Sequence, residues 1–354
     1  MKKIYQIVMM ALIAVFCLQL TSCNLSDGNT PYTSKTELWR AQNGSGKWGF
    51  IDRKGNFVIQ AIYDDAENFS CGYALVKING SYMFINTDGK LQNAPFFERS
   101  EGFYHNYAIV RVDGKYGILD KNLNFVVQPI YNSLSAEWDG VAANGLTPFQ
   151  LTSKDNYGFL NVTTGKVAIQ PQYDGVVYNF VGNYAVVYKN GKMGLINAKG
   201  EYSIQPVYEM LAPMGNDVFV FNKSGEEYGL MDEDGNVLVP DIYPYPVVAG
   251  VEYYTPASDW YVMGNTSNKF GYIDRNGNVQ LAFQYDFAYP FIEGYALVLL
   301  NSKWMVINKK GEIEFMLGDR EEPEDIGFRN GLLFTYDNKT YRYRDTDGNV
   351  VYLW

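Results

Sequence analysis

The 354-residue sequence is poor in the side chains on which most catalytic and metal centres depend. It has one histidine, His105, and three cysteines, Cys17, Cys23 and Cys71. A zinc site needs several Cys or His ligands, and a Ser-His-Asp arrangement would have to use His105. Cys71 and His105 each precede a strand in successive copies of the repeat described below, so we attribute their pairing to chance. We predict no catalytic residue, no metal and no cofactor, and we predict that the protein is not an enzyme.

Clustered basic residues are also lacking. The chain has 29 Lys and Arg against 39 Asp and Glu, a formal net charge of −10. Nucleic-acid binding needs a basic patch that contacts phosphates, so we predict no nucleic-acid partner. Only 19% of the residues are charged, whereas 47% are apolar and 16% are aromatic. This composition argues against disorder and favours β-structure, in which aromatic side chains fit the pleated surface.

The N-terminus predicts export. Two lysines are followed by an apolar stretch, residues 4–20, which is too short and too closely followed by polar residues for a transmembrane helix. It ends in Leu20-Thr21-Ser22-Cys23, which resembles the lipobox of bacterial lipoproteins. The resemblance implies cleavage before Cys23, a diacylglyceryl group on its sulfur and acylation of its new amino group. Two or three acyl chains hold a protein stably to a bilayer.

The remaining chain divides into a tether and an array. Residues 1–22 are the predicted signal peptide, residues 23–36 the lipidated cysteine and a polar tether, and residues 37–354 a repeat array. Asn24 follows Cys23, whereas an Asp there would indicate retention in the inner membrane of some bacteria. We therefore expect an exported lipoprotein on the outer membrane, on its periplasmic face or at the cell surface.

Nine copies of one pattern fill the array. The clearest copy starts with Lys47-Trp48-Gly49-Phe50-Ile51-Asp52, followed by a turn with Gly55 and the apolar segment 57–59. The large residue before the Gly position recurs at 48, 82, 116, 157, 193, 228, 270, 304 and 341. Self-similarity at a period near 35 residues is typical of repeat architectures.

Each copy predicts three short strands. The aromatic-Gly-apolar-apolar segment is one strand, and its Asp or Asn opens an Asp-x-x-Gly turn in which Gly takes a positive φ. The second strand follows and ends in several copies at Gln-Pro-x-Tyr, where the proline marks an edge or an end. The third strand, such as residues 72–77, returns through Asn79-Gly80, a strong hairpin signal.

These motifs resemble the WG-repeat (KWG-repeat) proteins of bacteria. The resemblance rests on the Lys47–Asp52 segment with Gly55, on its later copies and on the Gln-Pro-x-Tyr segments, and it covers residues 37–354. It implies an all-β repeat array, often on exported proteins, with no established catalytic residues. Four residues depart from the pattern: Met83, Met305 and Arg342 at the Gly position of the strand, and Leu123 at the Gly of the turn.

The copies form three groups of three. Copies one, four and seven share a Tyr-Asp pair (Tyr63-Asp64, Tyr173-Asp174 and Tyr285-Asp286), and copies three and six are longer than the rest. Gene triplication explains this, and so does a superhelix with three repeats per turn. We favour an open β-solenoid or superhelix, with a β-propeller of short blades as the alternative.

Aromatic residues in the long copies are the candidate binding residues. Aromatics at the template position, such as Trp48 and Trp304, are expected in the core. Aromatics in or beside the extra residues of the long copies have no template role, and inserted loops are where binding residues concentrate. The candidates are Trp138, Phe149, Tyr253, Tyr254, Trp260 and Tyr261.

Two acidic turns resemble the start of a calcium-binding loop. They are Asp232-Glu233-Asp234-Gly235 and Asp345-Thr346-Asp347-Gly348. A full calcium loop needs a further Glu after the Gly, so we interpret both as hairpin turns.

The function we predict is a non-catalytic envelope lipoprotein that acts as a protein-binding or scaffolding module. A carbohydrate-binding surface lipoprotein is the alternative, and a glycoside-type hydrolase with two carboxylates a remote one. The expected partners are an envelope protein or glycan, with the membrane contacted through Cys23.

Overall fold

The computed structural model describes residues 38–134, 142, 144–223, 225–247 and 259–354. Within these ranges the chain consists of β-strands, turns and irregular segments, with no helix. No helix able to cross a membrane is found in the same ranges. The predicted signal peptide, Cys23 and the tether lie outside the described residues. The all-β prediction is confirmed.

The strands form small sheets that we number in chain order. Sheet 1 has β1 (Trp39–Gln42), β2 (Trp48–Ile51) and β3 (Phe57–Tyr63); sheet 2 has β4 (Asp65–Ala66), β5 (Tyr73–Ile78) and β6 (Ser81–Asn86). Sheet 3 has β7 (Arg99–Tyr104), β8 (Tyr107–Val112), β9 (Lys115–Asp120) and β10 (Phe125–Tyr131); sheet 4 has β11 (Ser133–Leu134), β12 (Leu146–Gln150), β13 (Tyr157–Asn161) and β14 (Lys166–Tyr173).

Sheets 5 to 9 have four strands each. Sheet 5 has β15 (Gly175–Val181), β16 (Tyr184–Lys189), β17 (Lys192–Asn197) and β18 (Tyr202–Tyr208); sheet 6 has β19 (Met210–Gly215), β20 (Val218–Asn222), β21 (Tyr228–Asp232) and β22 (Val237–Tyr243). Sheet 7 has β23 (Tyr245–Pro246), β24 (Trp260–Gly264), β25 (Phe270–Asp274) and β26 (Val279–Tyr285). Sheet 8 has β27 (Phe287–Ala288), β28 (Tyr295–Leu300), β29 (Lys303–Asn308) and β30 (Ile313–Met316); sheet 9 has β31 (Glu322–Pro323), β32 (Leu333–Tyr336), β33 (Tyr341–Arg344) and β34 (Val350–Leu353).

Each sheet is a meander in which consecutive strands are hydrogen-bonded neighbours, and among the described strands none pairs with a strand of another sheet. A solenoid would instead hydrogen-bond equivalent strands of successive repeats into continuous sheets. The sheets are therefore blades of the β-propeller type, nine in the part of the chain that the structure describes. The β-propeller alternative is confirmed at the level of its blades, and the favoured open solenoid is not confirmed.

The chain contacts define two compact units. The larger unit contains the described residues up to 213 together with 217–241 and Trp354, and hence sheets 1 to 5 and most of sheet 6. The smaller unit contains residues 214–216 and 242–353, and hence sheets 7 to 9.

In both units the core lies between consecutive sheets, which pack face to face. Between sheets 2 and 3, for example, Leu75 and Phe84 pack with Phe103 and Leu119, and all four side chains are less than 5% exposed. Similar apolar clusters join sheets 1 and 2, 3 and 4, 4 and 5, and 5 and 6 in the larger unit, and sheets 7 and 8, and 8 and 9 in the smaller one. Burying a Leu or Phe side chain stabilises a fold by roughly 1.5–3 kcal/mol.

In the four-stranded sheets the aromatic-Gly strand is the third strand; in sheet 1 it is β2, so that β3 corresponds to the fourth strand of the other sheets. The glycine of this strand has a steric cause. A Cβ at Gly194 would lie 2.8 Å from the carbonyl oxygen of Ile204 and 2.9 Å from the nitrogen of Pro206. The fourth strand shifts its register at this point, which brings its backbone against the third strand. The glycines with the same close contact are Gly49, Gly117, Gly158, Gly229 and Gly271. No larger residue fits where the fourth strand bulges inward.

Copies without this glycine have a different fourth strand. β30 and β34, next to Met305 and Arg342, have only 4 residues, and sheet 2, which contains Met83, has no fourth strand among the described residues. The sheets with the glycine have fourth strands of 7 or 8 residues. Three of the four departures from the sequence pattern, Met83, Met305 and Arg342, therefore coincide with a short or absent fourth strand, whereas Leu123 precedes a β10 of ordinary length.

In sheet 9 the arginine at the glycine position belongs to a buried ion-pair network. Glu321 is 2% exposed. Both of its carboxylate oxygens accept hydrogen bonds from Arg344 at 2.7 Å, and Arg342 lies 3.2 Å away. Burial by itself raises the pKa of Glu321, but the hydrogen bonds from Arg344 and Thr335 outweigh it and lower the pKa to about 2. Breaking such a pair leaves an uncompensated buried charge, so this network holds the end of the sheet together.

Candidate binding surface

The structure removes two of the predicted binding residues from the surface. Phe149 in β12 is 4% exposed and belongs to the cluster between sheets 3 and 4, and Tyr261 in β24 is 3% exposed. Buried side chains of this kind stabilise the sheets and offer no area to a partner. Trp138, Tyr253 and Tyr254 lie outside the described residues.

Trp260 is partly buried on the core of sheets 7 and 8. Its ring meets that of Phe291 edge-on at 5.5 Å and that of Tyr272 at 6.5 Å. The ammonium of Lys309 lies 5.5 Å from the Trp260 ring centroid, within cation–π range. The first residue of β24 is thus a Trp that packs against a core cluster and is only partly exposed.

The acidic turns have a structural role in the backbone. Asp232 Oδ1 accepts hydrogen bonds from the backbone N–H groups of Asp234 and Asn236, at 3.1 and 2.8 Å. Asp345 Oδ1 accepts the same two hydrogen bonds from Asp347 and Asn349. At an equivalent turn that begins with Asn197 instead of Asp, the backbone N–H groups two and four residues later, of Lys199 and Glu201, donate to Asn197 Oδ1 in the same way. The turn interpretation therefore explains these carboxylates without a cation.

In each Tyr-Asp pair the Tyr ends the last strand of one sheet, and the Asp contacts the hairpin turn of the next sheet. Asp174 Oδ2 accepts the backbone N–H of Asn190 at 2.7 Å, and its other oxygen accepts Lys189 at 3.1 Å. These two hydrogen bonds lower the pKa of Asp174. Asp286 receives the backbone N–H of Asn301 in the same way, at 2.7 Å. The recurrence in copies one, four and seven therefore reflects an Asp that caps an Asn-Gly or Asn-Ser hairpin turn.

Cys71 and His105 also have structural roles. The backbone N–H of Asn106 donates to Cys71 Sγ at 3.4 Å. At the equivalent turn between sheets 8 and 9, the Glu293 carboxylate accepts the backbone N–H of Asn330 at 2.7 Å. Cys71 and Glu293 share a φ of +53°, and His105 has a φ of +46°. Burial lowers the pKa of His105. Cys71 therefore connects two neighbouring hairpin turns, and His105 lies in the second of them.

Exposed apolar side chains are concentrated on the fourth strands, a feature that our sequence analysis missed. Each fourth strand is the edge of its sheet. Two rows stand out in consecutive sheets. The N-terminal row, in sheets 1 to 3, is Ile62, Phe96 and Ile130, which are 62%, 75% and 55% exposed. The C-terminal row, in sheets 7 to 9, is Val279, Ile313 and Val350, which are 55%, 50% and 43% exposed.

A fixed spacing relates the residues of each row, although it also reaches exposed residues of sheets 5 and 6, Val207, Val237 and Ile242. The residues of the N-terminal row stand ten positions after the turn residues Asp52, Asn86 and Asp120, and those of the C-terminal row stand five positions after Asp274, Asn308 and Asp345. Phe96 lies outside a regular strand. Its segment nevertheless runs beside β6, because Gln92 N–H donates to the Phe84 carbonyl at 2.9 Å and Leu91 forms a bridge with Ile85.

Charge separates the two rows. Residues 38–131, which form sheets 1 to 3, have 10 Lys and Arg and 9 Asp and Glu. Residues 132–354 have 16 Lys and Arg and 28 Asp and Glu. The N-terminal row therefore lies on a nearly neutral part of the array, and the C-terminal row on a strongly acidic part.

Comparison with protein families identifies the repeats. A family described as "WG containing repeat" matches residues 48–82, 82–116, 157–192, 193–226 and 270–304. The chain is a WG-repeat protein, as the sequence predicted. No curated protein matches the chain.

Several solved structures are similar to the chain in outline. The computationally designed Ika8 protein is 12% identical, with 81% of this chain and 94% of that chain covered and a TM-score of 0.46. BamB from Moraxella catarrhalis is 11% identical, with 81% and 94% covered and a TM-score of 0.43. Apo AztD from Citrobacter koseri is 14% identical, with 89% and 93% covered and a TM-score of 0.41.

Proposed function

We propose that the protein is a non-catalytic, protein-binding scaffold, held at a bacterial envelope membrane through an acylated Cys23. The site of export is the outer membrane, on its periplasmic face or at the cell surface. The anchor rests on the lipobox, and the binding role rests on the array and its exposed edges. Stacked repeats offer a long surface to a partner.

The observation that carries the binding role is the C-terminal row. Val279, Ile313 and Val350 lie on β26, β30 and β34, the edge strands of three consecutive sheets. None of these strands contains a proline, whereas β10, β14, β18 and β22 each contain one. Proline removes a backbone donor and protects an edge from pairing. The last three edges thus keep their backbone donors beside exposed apolar side chains, which suits an added strand from another protein.

The acidic surroundings indicate the kind of segment that binds. Glu312 and Glu314 flank Ile313, and both carboxylates are exposed. An extended segment that combines apolar residues with Lys or Arg would match both features, because complementary charge steers association and favours the correct partner.

A pull-down from envelope extract tests this proposal. The chain starting at residue 24 is compared with an Ile313→Lys/Val350→Lys variant and with a control, Val167→Lys/Val207→Lys. The control changes two residues on the proline-containing strands β14 and β18, which are 41% and 53% exposed. We expect the first variant to lose captured protein while its urea unfolding is unchanged, and the control to retain it. Equal capture by the two variants would refute binding at the C-terminal row.

A further inference from the structure

The N-terminal row differs from the C-terminal row in its charge and in its distance along the chain from Cys23. We propose that Ile62, Phe96 and Ile130 rest on the lipid bilayer itself, so that the first three sheets dock on the membrane surface. This inference rests on the proposed acylation of Cys23. It adds a second contact with the membrane and an orientation for the array.

The first argument is the length of chain between the lipid and the fold. Fourteen residues separate Cys23 from Leu38, and β1 begins directly afterwards at Trp39. Fourteen residues span at most about 50 Å even when fully extended. Sheet 1, which contains Ile62, is therefore the part of the fold nearest to the attachment point along the chain. Sheets 2 and 3 pack on it in turn.

The second argument is the exposure of the row. Phe96 is 75% exposed, more than any other large apolar side chain among the described residues, and Pro95 precedes it. Ile62 and Ile130 occupy the equivalent positions in the sheets on either side. An exposed aromatic ring, with exposed aliphatic side chains at the equivalent positions of the adjacent sheets, is suited to the boundary between headgroups and acyl chains, where apolar area leaves water.

The third argument is charge. Bacterial membrane surfaces that contain anionic lipids attract basic segments and repel acidic ones. Sheets 1 to 3 carry 10 basic and 9 acidic residues, whereas the rest of the array carries an excess of 12 acidic residues. Only the N-terminal row can therefore approach such a surface without repulsion.

Photocrosslinking tests the docking on the intact lipoprotein. The acylated protein is reconstituted in phosphatidylethanolamine–phosphatidylglycerol vesicles that contain a phospholipid with a photoreactive acyl chain, and crosslinked peptides are mapped by mass spectrometry. We expect lipid adducts on the peptides that contain Ile62, Phe96 and Ile130. Adducts restricted to residues 23–37 would overturn the docking and leave the anchor intact. A protein that does not float with the vesicles would instead refute the anchor.

Variants separate the row from the rest of the surface. Ile62→Ser/Phe96→Ser/Ile130→Ser should reduce adducts on the first three sheets roughly tenfold, because three exposed apolar contacts with lipid are lost. The matched control, Val279→Ser/Ile313→Ser/Val350→Ser, should leave those adducts unchanged. All six side chains are exposed, so both proteins should fold. Equal adduct yields in the two variants would overturn the proposal, as would a row variant that loses protein capture but keeps its lipid adducts.

Discussion

The steric requirement for glycine in the aromatic-Gly motif can be tested by adding one methyl group. In Gly194→Ala the new Cβ would lie 2.8, 2.9 and 3.0 Å from Ile204 O, Pro206 N and Pro206 Cα. All three are backbone atoms of the fourth strand, so no side chain can rotate away to make room. β18 must move away from β17, or the register shift between them must rearrange.

The expected loss follows from two opposing effects. Overpacking of this kind costs about 1–3 kcal/mol. Replacing glycine by alanine also lowers the conformational entropy of the unfolded chain, which stabilises the folded protein by about 0.4–1 kcal/mol. Gly194→Ala should therefore destabilise sheet 5 by about 1–2 kcal/mol. Gly175→Ala is the matched control in the same sheet, because its Cβ would meet Tyr188 Cβ at an ordinary 3.5 Å. That variant should be neutral or slightly stabilised.

Native-state hydrogen exchange is the assay that suits a local change. Exchange of the β17 and β18 amides should become roughly tenfold faster in Gly194→Ala, which corresponds to about 1.4 kcal/mol, and should be unchanged or slower in Gly175→Ala. Urea unfolding of the same proteins gives the global effect. If both alanine variants protect β17 equally well, the glycine is not required by the close approach of the fourth strand.

Three further outcomes follow from the packing. Glu321 has a pKa of about 2 in the folded protein against an ordinary value of 4.5. Its ionised form therefore stabilises the protein by about 3 kcal/mol above pH 4.5, and this contribution disappears as the pH falls toward 2. The free energy of unfolding, measured between these two pH values, should lose this pH dependence in Glu321→Gln. Leu123→Gly should relieve a φ of +64° but lose a side chain that is 7% exposed, with a net loss of about 1–2 kcal/mol in urea unfolding; a more stable variant would contradict this. Trp260→Ala should lower stability by about 2 kcal/mol in thermal unfolding, and an unchanged melting temperature would show that its contacts with Phe291 and Tyr272 contribute little.

Local chemistry made the repeat and its strands predictable. Asp-x-x-Gly and Asn-Gly are short signals whose backbone requirements are local, and the structure places Gly55 at a φ of +82° and Asn79 and Gly80 at +50° and +83°. The strands on either side follow from short apolar runs between turn signals, such as β5, in which three consecutive residues are buried. The predicted copy does not coincide with a sheet, because the motif starts in the middle of a sheet: its first two strands, such as β2 and β3, end one sheet, and its third strand, such as β5, belongs to the next. A repeat in sequence has no marked beginning, and only hydrogen bonding shows where one sheet ends.

Long-range packing made the binding residues hard to predict. Phe149 and Tyr261 looked inserted because the copies that contain them are long, yet both lie in regular strands whose inward faces are filled by the neighbouring sheet. Leu123 shows the same limit at a turn. Its position needs a positive φ, which Leu adopts at a cost, but burial in the cluster between sheets 2 and 3 offsets that cost. Neither effect can be read from the local sequence.

The two apolar rows show how a uniform repeat can acquire two different ends. Every fourth strand is an edge, and an apolar edge that recurred in all copies would promote self-association. Here β10, β14, β18 and β22 contain proline, at Pro129, Pro171, Pro206 and Pro240, whereas β3, β26, β30 and β34 contain none. Ile130 of the N-terminal row directly follows Pro129, so that edge lacks one backbone donor. Contact with lipid needs no backbone donor, whereas an added strand does. The N-terminal row is therefore suited to a lipid surface and the proline-free C-terminal row to an extended protein segment.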